Sequence, residues 1–286
     1  MPRLTIRHET RYRYQRPIGF GPQRMLLRPR DSHAVRLIDA SLELSPPGQT
    51  RWVYDALGNC VCWFTPQGEA DQLTIVNNLT LDRFPAPLWP PQADDPQSTF
   101  PLVYDLSDRL TLEPFIAPVT EDQDGVLLSW LRPRLDGAGE PVLDFVRRLN
   151  DAIHNEFEYG ERIEAGTQDP VVTMARASGT CRDFAWLMVE ALRQLGFAAR
   201  FVTGYLYSPE GGAARGGGAT HAWCEVFLPG LGWLEFDPTN GLVESPDLIR
   251  VATTRTPLEA APVTGNLIGD PGNSTMEVSV AVNLVE

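Results

Sequence analysis

The chain has 286 residues, of which 43% are hydrophobic and 21% are charged, and these values are typical of a soluble globular protein with a sizeable core. Its formal net charge of −13 argues against nucleic acid as a partner, because phosphate would be repelled from most of the surface. No apolar run reaches the length of a membrane span, and the first residues lack the apolar stretch of a signal peptide. We therefore expect a cytoplasmic protein that does not bind membranes.

The positive charge is concentrated near the beginning of the chain. Residues 1–36 contain nine arginines and only two acidic residues. This basic stretch would either dock onto the acidic remainder of the chain or meet an anionic partner. Internal docking or a solvated face is the simpler interpretation.

Cysteine usage argues against a disulfide framework and against a zinc site. The chain has four cysteines and no CxxC pair. We therefore expect neither a metal nor another cofactor.

Short strands dominate the first 82 residues. Residues 6–14 alternate between uncharged and charged side chains, which predicts a strand with one solvent-facing side. Further strands, separated by turns rich in Pro, Gly, Asn and Asp, are predicted at residues 37–44, 49–54, 60–65 and 73–81. Residues 1–82 are thus predicted to form a β-sandwich-like domain. We expect His8 and His33 to be structural, since neither has a catalytic grouping nearby in the sequence.

A proline-rich stretch separates this domain from the rest of the chain. Six prolines lie between Asp82 and Pro101, a composition typical of a stiff extended linker. We assign residues 83–118 to the linker and residues 119–286 to a second domain.

The second domain begins with helical periodicity and continues with strands. Apolar residues recur at three- and four-residue spacing over residues 142–157. Asp169 followed by Pro170 predicts the start of a second, short helix. Strands are predicted at residues 197–207, 220–228, 232–237 and 277–284.

A third helical pattern places a cysteine at the start of a helix. Its apolar side chains span residues 184–195, and Gly196 is positioned to end it. Cys181 lies at the N-terminal end, where unpaired backbone amides and the helix dipole stabilise a thiolate. Cys181 is therefore a candidate nucleophile, although a buried cysteine usually has only a packing role. We expect Asp183 to cap the first turn.

His221 and Asp237 lie on consecutive predicted strands joined by a tight turn. A shorter turn makes them direct cross-strand neighbours, and a longer turn makes them diagonal neighbours. Either register keeps both side chains on one face, with their Cβ atoms roughly 5 to 8 Å apart. A carboxylate at that distance can orient an imidazole.

Three blocks of this region resemble the Cys, His and Asp boxes of the transglutaminase-like superfamily. They comprise residues 179–185, 220–227 and 232–239. The first strand, together with residues 27–30 and 55–59, resembles the β-rich N-terminal region attached to the bacterial members. The resemblance implies an α+β fold, with a papain-like transglutaminase core preceded by the β-sandwich-like domain.

The resemblance also implies a catalytic triad. Cys181 would attack an amide or acyl carbonyl, His221 would transfer the proton and Asp237 would orient His221, and these roles agree with the geometry argued above. The backbone amide of Cys181 is expected to stabilise the oxyanion. Candidates for the second oxyanion donor or for substrate contact are Tyr159, Gln168 and Trp223.

Three functions are compatible with these residues. The leading hypothesis is a cysteine-dependent amide hydrolase or peptidase that acts through an acyl-thioester on a peptide or protein. In the first alternative, a transamidating transglutaminase, an amine acceptor replaces water as the second nucleophile. That choice depends on water exclusion, which a sequence does not expose. The second alternative is a noncatalytic binding or scaffold protein of the same fold. The oligomeric state stays open.

Overall fold

The computed structural model describes residues 2–84, 99–160, 166–208, 214–215 and 218–285. Within these ranges the strands are β1 (Arg3–Met25), β2 (Val35–Ser45), β3 (Gly48–Tyr54), β4 (Cys60–Pro66), β5 (Glu69–Arg83), β6 (Glu158–Tyr159), β7 (Ser178–Gly179), β8 (Ala199–Leu206), β9 (His221–Leu228), β10 (Gly232–Asp237), β11 (Leu242–Val243), β12 (Leu248–Thr254), β13 (Val263–Ile268) and β14 (Ser274–Val285). The helices are α1 (Leu106–Ile116), α2 (Val126–Leu131), α3 (Val142–Glu156), α4 (Pro170–Arg176) and α5 (Cys181–Gln194). None of these described helices is long and apolar enough to cross a bilayer.

The N-terminal strands form one seven-stranded sheet in the order β2-β5-β1-β4-β3, with β13 and β14 also pairing to β1. The first half of β1 pairs with β5 and β14, and its second half reaches β4 and β13. All five predicted strands of this region are present. The predicted alternation in β1 is confirmed as well, since Ile6, His8 and Thr10 are buried while Arg7 is exposed.

The last two strands return to the N-terminal sheet. β14 runs antiparallel to β1 from Arg3 opposite Val285 to Tyr14 opposite Ser274. The predicted domain of residues 119–286 is therefore wrong at its C-terminal end, because residues 263–285 complete the N-terminal sheet. Alternation correctly predicted a strand at residues 277–284, but it does not indicate which sheet a strand joins.

The predicted linker contains a helix. α1 lies within residues 83–118, and its Leu112 and Phe115 are buried. Phe115 packs edge-on against Trp233 of β10, with the ring centroids 5.5 Å apart. Most of the proline-rich stretch, residues 85–98, lies outside the described residues.

The second domain is built from helix α5 packed on a five-stranded antiparallel sheet of order β11-β10-β9-β8-β12. Apolar side chains of α5, including Phe184 and Leu187, join Cys224 and Val226 of β9 in one buried cluster. The three predicted helices correspond to α3, α4 and α5. Asp169 caps α4 by accepting a hydrogen bond from the Val171 amide at 2.8 Å.

The basic N-terminal stretch is largely paired within its own sheet. Arg3 contacts Asp82 of β5 at 2.8 Å, and Arg13 contacts Glu277 of β14 at 3.2 Å. Exposed pairs of this kind contribute little free energy each. They nevertheless support internal docking of the arginines, the simpler interpretation of the charge pattern.

A buried polar network joins the two sheets. His8 of β1 contacts the Tyr205 hydroxyl of β8 through Nδ1 at 3.1 Å and Thr10 through Nε2 at 3.0 Å. Asn77 donates to the Leu27 carbonyl at 2.9 Å beside the same hydroxyl. Burial lowers the pKa of His8 to about 4. His8 is therefore neutral near pH 7 and joins the domains through hydrogen bonds.

A second polar cluster lines a cavity of about 360 Å³ between the domains. Glu225 is fully buried and bonds to Arg200 at 2.5 Å and to Arg250 at 2.6 Å. Burial favours a higher pKa for Glu225, but the two guanidinium groups outweigh it and hold this pKa below its usual value. Glu235 lies directly opposite Glu225 in the β9–β10 pairing. Burial, and next the charge of Glu225, raises the pKa of Glu235 to about 8.

Replacing Glu235 with Gln should remove a pH-dependent loss of stability. The folded protein keeps the Glu235 proton up to about pH 8, whereas an unperturbed carboxyl loses it near pH 4.5. The contribution of Glu235 to the free energy of unfolding therefore falls as the pH rises between these values. We expect Glu235→Gln to unfold about 2–4 °C above the wild type at pH 8 and to show no gain at pH 5. Calorimetry at both pH values measures the difference, with the exposed Glu113→Gln as control. An equal difference at both pH values would contradict this assignment.

Candidate active site

Cys181 is the first residue of α5 and is 7% exposed. The helix start is held by Asp183, whose carboxylate accepts hydrogen bonds from the Thr180 amide at 2.8 Å and the Thr180 hydroxyl at 2.9 Å. The other carboxylate oxygen of Asp183 accepts a hydrogen bond from the backbone amide of Gln168 at 2.7 Å. These contacts confirm the predicted capping role of Asp183, which fixes the position of the thiol relative to the loop before it.

The residue before Thr180 must be small. Gly179 belongs to β7, which pairs in parallel with β6. A Cβ atom added at Gly179 would lie 2.8 Å from the Asp183 Cβ and 3.2 Å from the Gln168 Nε2. The glycine therefore lets the capping carboxylate pack under the loop that leads to Cys181.

His221 and Asp237 lie on β9 and β10 in the diagonal arrangement. Phe236 pairs with Cys224, which corresponds to the longer of the two turns considered. His221 Nε2 lies 2.8 Å from Asp237 Oδ2, and both side chains are fully buried. The spacing argument therefore correctly placed the carboxylate within reach of the imidazole.

Asp237 is held by two further donors. Its Oδ1 accepts a hydrogen bond from the Thr239 amide at 3.0 Å, and its Oδ2 accepts one from Asn240 Nδ2 at 2.9 Å. Burial favours a higher pKa for Asp237, but His221 and these donors outweigh it and lower the pKa. The sequence analysis missed Asn240, although its place three residues after the carboxylate, in an Asp-Pro-Thr-Asn turn, was an available signal.

The protonation of His221 reflects opposing effects. Burial favours a lower pKa, but the charge and hydrogen bond of Asp237, with a further contribution from Cys181, raise the pKa of His221 to about 10. Its Nδ1 is buried and has no hydrogen-bond partner among the described residues. Because Nε2 is engaged by Asp237, Nδ1 is the nitrogen available to the thiol. An imidazole held in this way can exchange a proton with a neighbouring thiol.

Trp223 lies behind the imidazole. The indole stacks on His221 with the ring centroids 6.0 Å apart and is fully buried with Val202 and Leu248. A Cβ atom at Gly204, the cross-strand partner of His221, would lie 2.6 Å from the indole. The structure therefore gives Trp223 a packing role beneath His221, where it lines neither the cavity of Cys181 nor that of His221.

The other two predicted side chains take different places. Gln168 is engaged at both ends of its amide, since Nε2 donates to the Ser178 carbonyl at 3.1 Å and Oε1 accepts from Arg176 at 2.9 Å. Tyr159 lines the same cavity as Cys181 and packs edge-on against Phe184. Of the three, only Tyr159 faces the space in front of the thiol.

Cys181 and His221 border two adjoining cavities. Cys181 lines the first, of about 500 Å³, and His221 lines the second, of about 420 Å³. Both cavities are also lined by Arg182, Thr220, Ala261 and Pro262. The N-terminal sheet supplies one wall of the first cavity through His8, Thr10, Tyr12, Met276 and Val278.

In the described part of the chain, no group of three or more His, Cys, Asp or Glu residues is arranged to hold a metal ion. The arrangement that is present, a thiol at a helix start with an imidazole oriented by a carboxylate, is suited to nucleophilic attack and proton transfer.

Known proteins with similar sequences and folds cover both domains. The family described as transglutaminase-like superfamily matches residues 131–238, and the bacterial transglutaminase-like N-terminal region matches residues 4–82. An uncharacterized protein of Mycobacterium tuberculosis is 30% identical over 98% of this chain and 92% of its own length. Another, of Mycobacterium leprae, is 23% identical over 99% of both chains.

A solved structure shares the complete fold. It is that of a candidate cysteine protease from Cytophaga hutchinsonii, with a TM-score of 0.75 and 21% identity, and the match covers 100% of this chain and 91% of that one. The order of the three boxes, the fold around them and the two family matches agree. The chain therefore belongs to the transglutaminase-like superfamily and carries the bacterial transglutaminase-like N-terminal region.

Proposed function

We propose that the protein is a cysteine-dependent amide hydrolase that acts on peptides or proteins through an acyl-thioester. The observation that carries the proposal is the commitment of one His221 nitrogen to Asp237, which leaves the other for Cys181 at the start of α5. Family membership and the similarity to a candidate cysteine protease of Cytophaga hutchinsonii agree with this chemistry.

The reaction begins with attack of the Cys181 thiolate on the substrate carbonyl carbon. A C–S bond forms, and the carbonyl electron pair moves to oxygen, where the Cys181 amide stabilises it. His221 donates its proton to the leaving nitrogen as the C–N bond breaks, which releases ammonia or an amine. Water then attacks the thioester and loses a proton to His221. The C–S bond breaks, and the acid leaves.

Tyr159 is proposed as the second oxyanion contact. It shares the cavity with Cys181. By contrast, the side-chain amide of Gln168 donates to the Ser178 carbonyl, and Trp223 is buried behind His221. A phenol can donate one hydrogen bond to an oxyanion. The proposed pair of donors is thus the Cys181 amide and the Tyr159 hydroxyl.

Water is favoured over an amine as the second nucleophile by the charges of the two cavities. A primary amine acceptor is a cation near pH 7, yet no carboxylate lines either cavity within the described residues. The Arg182 guanidinium lines both and repels a cation. The Thr220 hydroxyl, which lines both cavities, is available to bind water there.

Replacing His221 with Ala should slow alkylation of Cys181 most strongly at low pH. At pH 6 an ordinary thiol is ionised only to a small extent, so its alkylation depends on a neighbouring group that takes up its proton, which is the role proposed for His221. We expect iodoacetamide to label Cys181 at pH 6 at least ~10-fold more slowly in His221→Ala. Peptide mass spectrometry measures this labelling, and His33→Ala, at an exposed histidine that lines neither cavity, serves as control. A wild-type rate equal to that of a small free thiol would favour the noncatalytic alternative.

Incubation with a glutamine peptide and a primary amine distinguishes hydrolysis from transamidation. We expect release of ammonia without incorporation of the amine, because the cavities do not attract an ammonium group. An ammonia assay and mass spectrometry of the peptide measure the two products, with Cys181→Ala as the blank. Stoichiometric amine incorporation would instead identify a transamidase.

Replacing Asn240 with Ala should weaken the positioning of Asp237 and, through it, of His221. The variant loses one of the hydrogen bonds to the carboxylate, each worth about 1 kcal/mol or more for a charged group. We expect kcat to fall about 10-fold with little change in KM, and Asn240→Asp to lower kcat as well, because it places a second negative charge beside Asp237. Steady-state kinetics test this, and unchanged kcat in both variants would exclude a positioning role.

A further inference from the structure

Arg182 is an exposed cation that lies where the two catalytic cavities adjoin. It follows Cys181 directly in α5 and lines both the cavity of Cys181 and that of His221. Its guanidinium makes no ion pair or hydrogen bond with any residue that the structure describes. Five N–H donors therefore point into a space that is large enough for a substrate.

The neighbourhood of Arg182 contrasts with the rest of this acidic chain. Arg193, at the other end of α5, is fully buried and bonds to Glu190 at 2.9 Å. In the two catalytic cavities, by contrast, the described lining residues include no Asp or Glu. His8 of the N-terminal sheet, the other basic side chain that lines the Cys181 cavity, is neutral because it is buried. The positive charge of His221 is matched by the ionised Asp237 at 2.8 Å, so Arg182 is the cation of this cleft that no described carboxylate neutralises, in a protein of net charge −13.

A guanidinium binds a carboxylate through two parallel, charge-assisted hydrogen bonds. No carboxylate of the described chain fills that role at Arg182. A substrate with a carboxylate close to its scissile amide would therefore gain an interaction that a neutral substrate lacks. A substrate with a cation in the same place would be repelled.

We propose that Arg182 selects substrates by binding a carboxylate next to the scissile amide. This inference rests on the proposed function and names the substrate class of that site. The carboxylate can belong to an acidic side chain or to a free chain terminus, which present the same chemistry. Apolar side chains of the cavity wall, Met276 and Val278 among them, would contact the uncharged part of the same substrate.

Two alkylating reagents of similar size test the charge at Cys181 without any substrate. Iodoacetate is an anion and iodoacetamide is neutral, and both require the same thiolate, so the ratio of their rates reports the local potential. We expect this ratio at Cys181 to exceed that of N-acetylcysteinamide, a neutral thiol, and to fall about 3-fold or more in Arg182→Gln. Raising the salt concentration should reduce the wild-type ratio in the same direction.

Peptide mass spectrometry assigns the label to Cys181, since Cys60, Cys62 and Cys224 are also free. Arg147→Gln, an exposed arginine of α3 that lines neither cavity, is the matched control and should leave the ratio unchanged. An unchanged ratio in Arg182→Gln would overturn the proposal even if Cys181 is reactive. Slow labelling by both reagents would instead contradict the proposed function itself.

Peptide substrates then separate the two sources of the carboxylate. One pair of peptides carries Glu or Gln beside the scissile amide, and a second pair ends in a free or an amidated terminus. We expect one acidic member to be cleaved with a kcat/KM about 10- to 100-fold above its neutral partner, and Arg182→Gln to abolish that preference. Cleavage of both pairs without any preference would reject the substrate class while leaving the hydrolase intact.

Discussion

The buried hydrogen bond between His221 and Asp237 is the interaction on which the site depends. Burial alone would make the imidazole hard to protonate, and the carboxylate reverses that effect at a distance of 2.8 Å. The same bond fixes which nitrogen remains for Cys181. Asp237 can serve this role because His221, together with Asn240 and the Thr239 amide, keeps its carboxyl ionised in a fully buried place.

The N-terminal sheet takes part in the site as a wall. Side chains of β1 and β14 close one side of the Cys181 cavity, and the His8–Tyr205 contact joins that wall to the core sheet. The two family regions are thus joined by buried polar contacts close to the reacting groups. Changes in the first domain are expected to alter substrate binding without touching the triad.

Local signals predicted the candidate triad residues because the position of each depends on short-range geometry. A helix start located Cys181, and a tight turn between two strands located His221 opposite Asp237. The same signals could not place β14 against β1, because alternation is identical for strands of either sheet. Nor could they predict that Trp223 packs beneath His221 or that Arg182 has no described partner, since both results depend on neighbours distant in sequence.

The pairing of β1 with β14 also affects how the molecule folds. These strands adjoin along 12 residue pairs although they lie at opposite ends of the chain, and contacts of such high sequence separation form slowly. During synthesis β1 waits for its partner until residues 274–285 have been made. The cavity wall containing Met276 and Val278 is therefore completed after α5 and the core sheet have been synthesised, so Cys181 acquires its full surroundings only once β14 has joined β1.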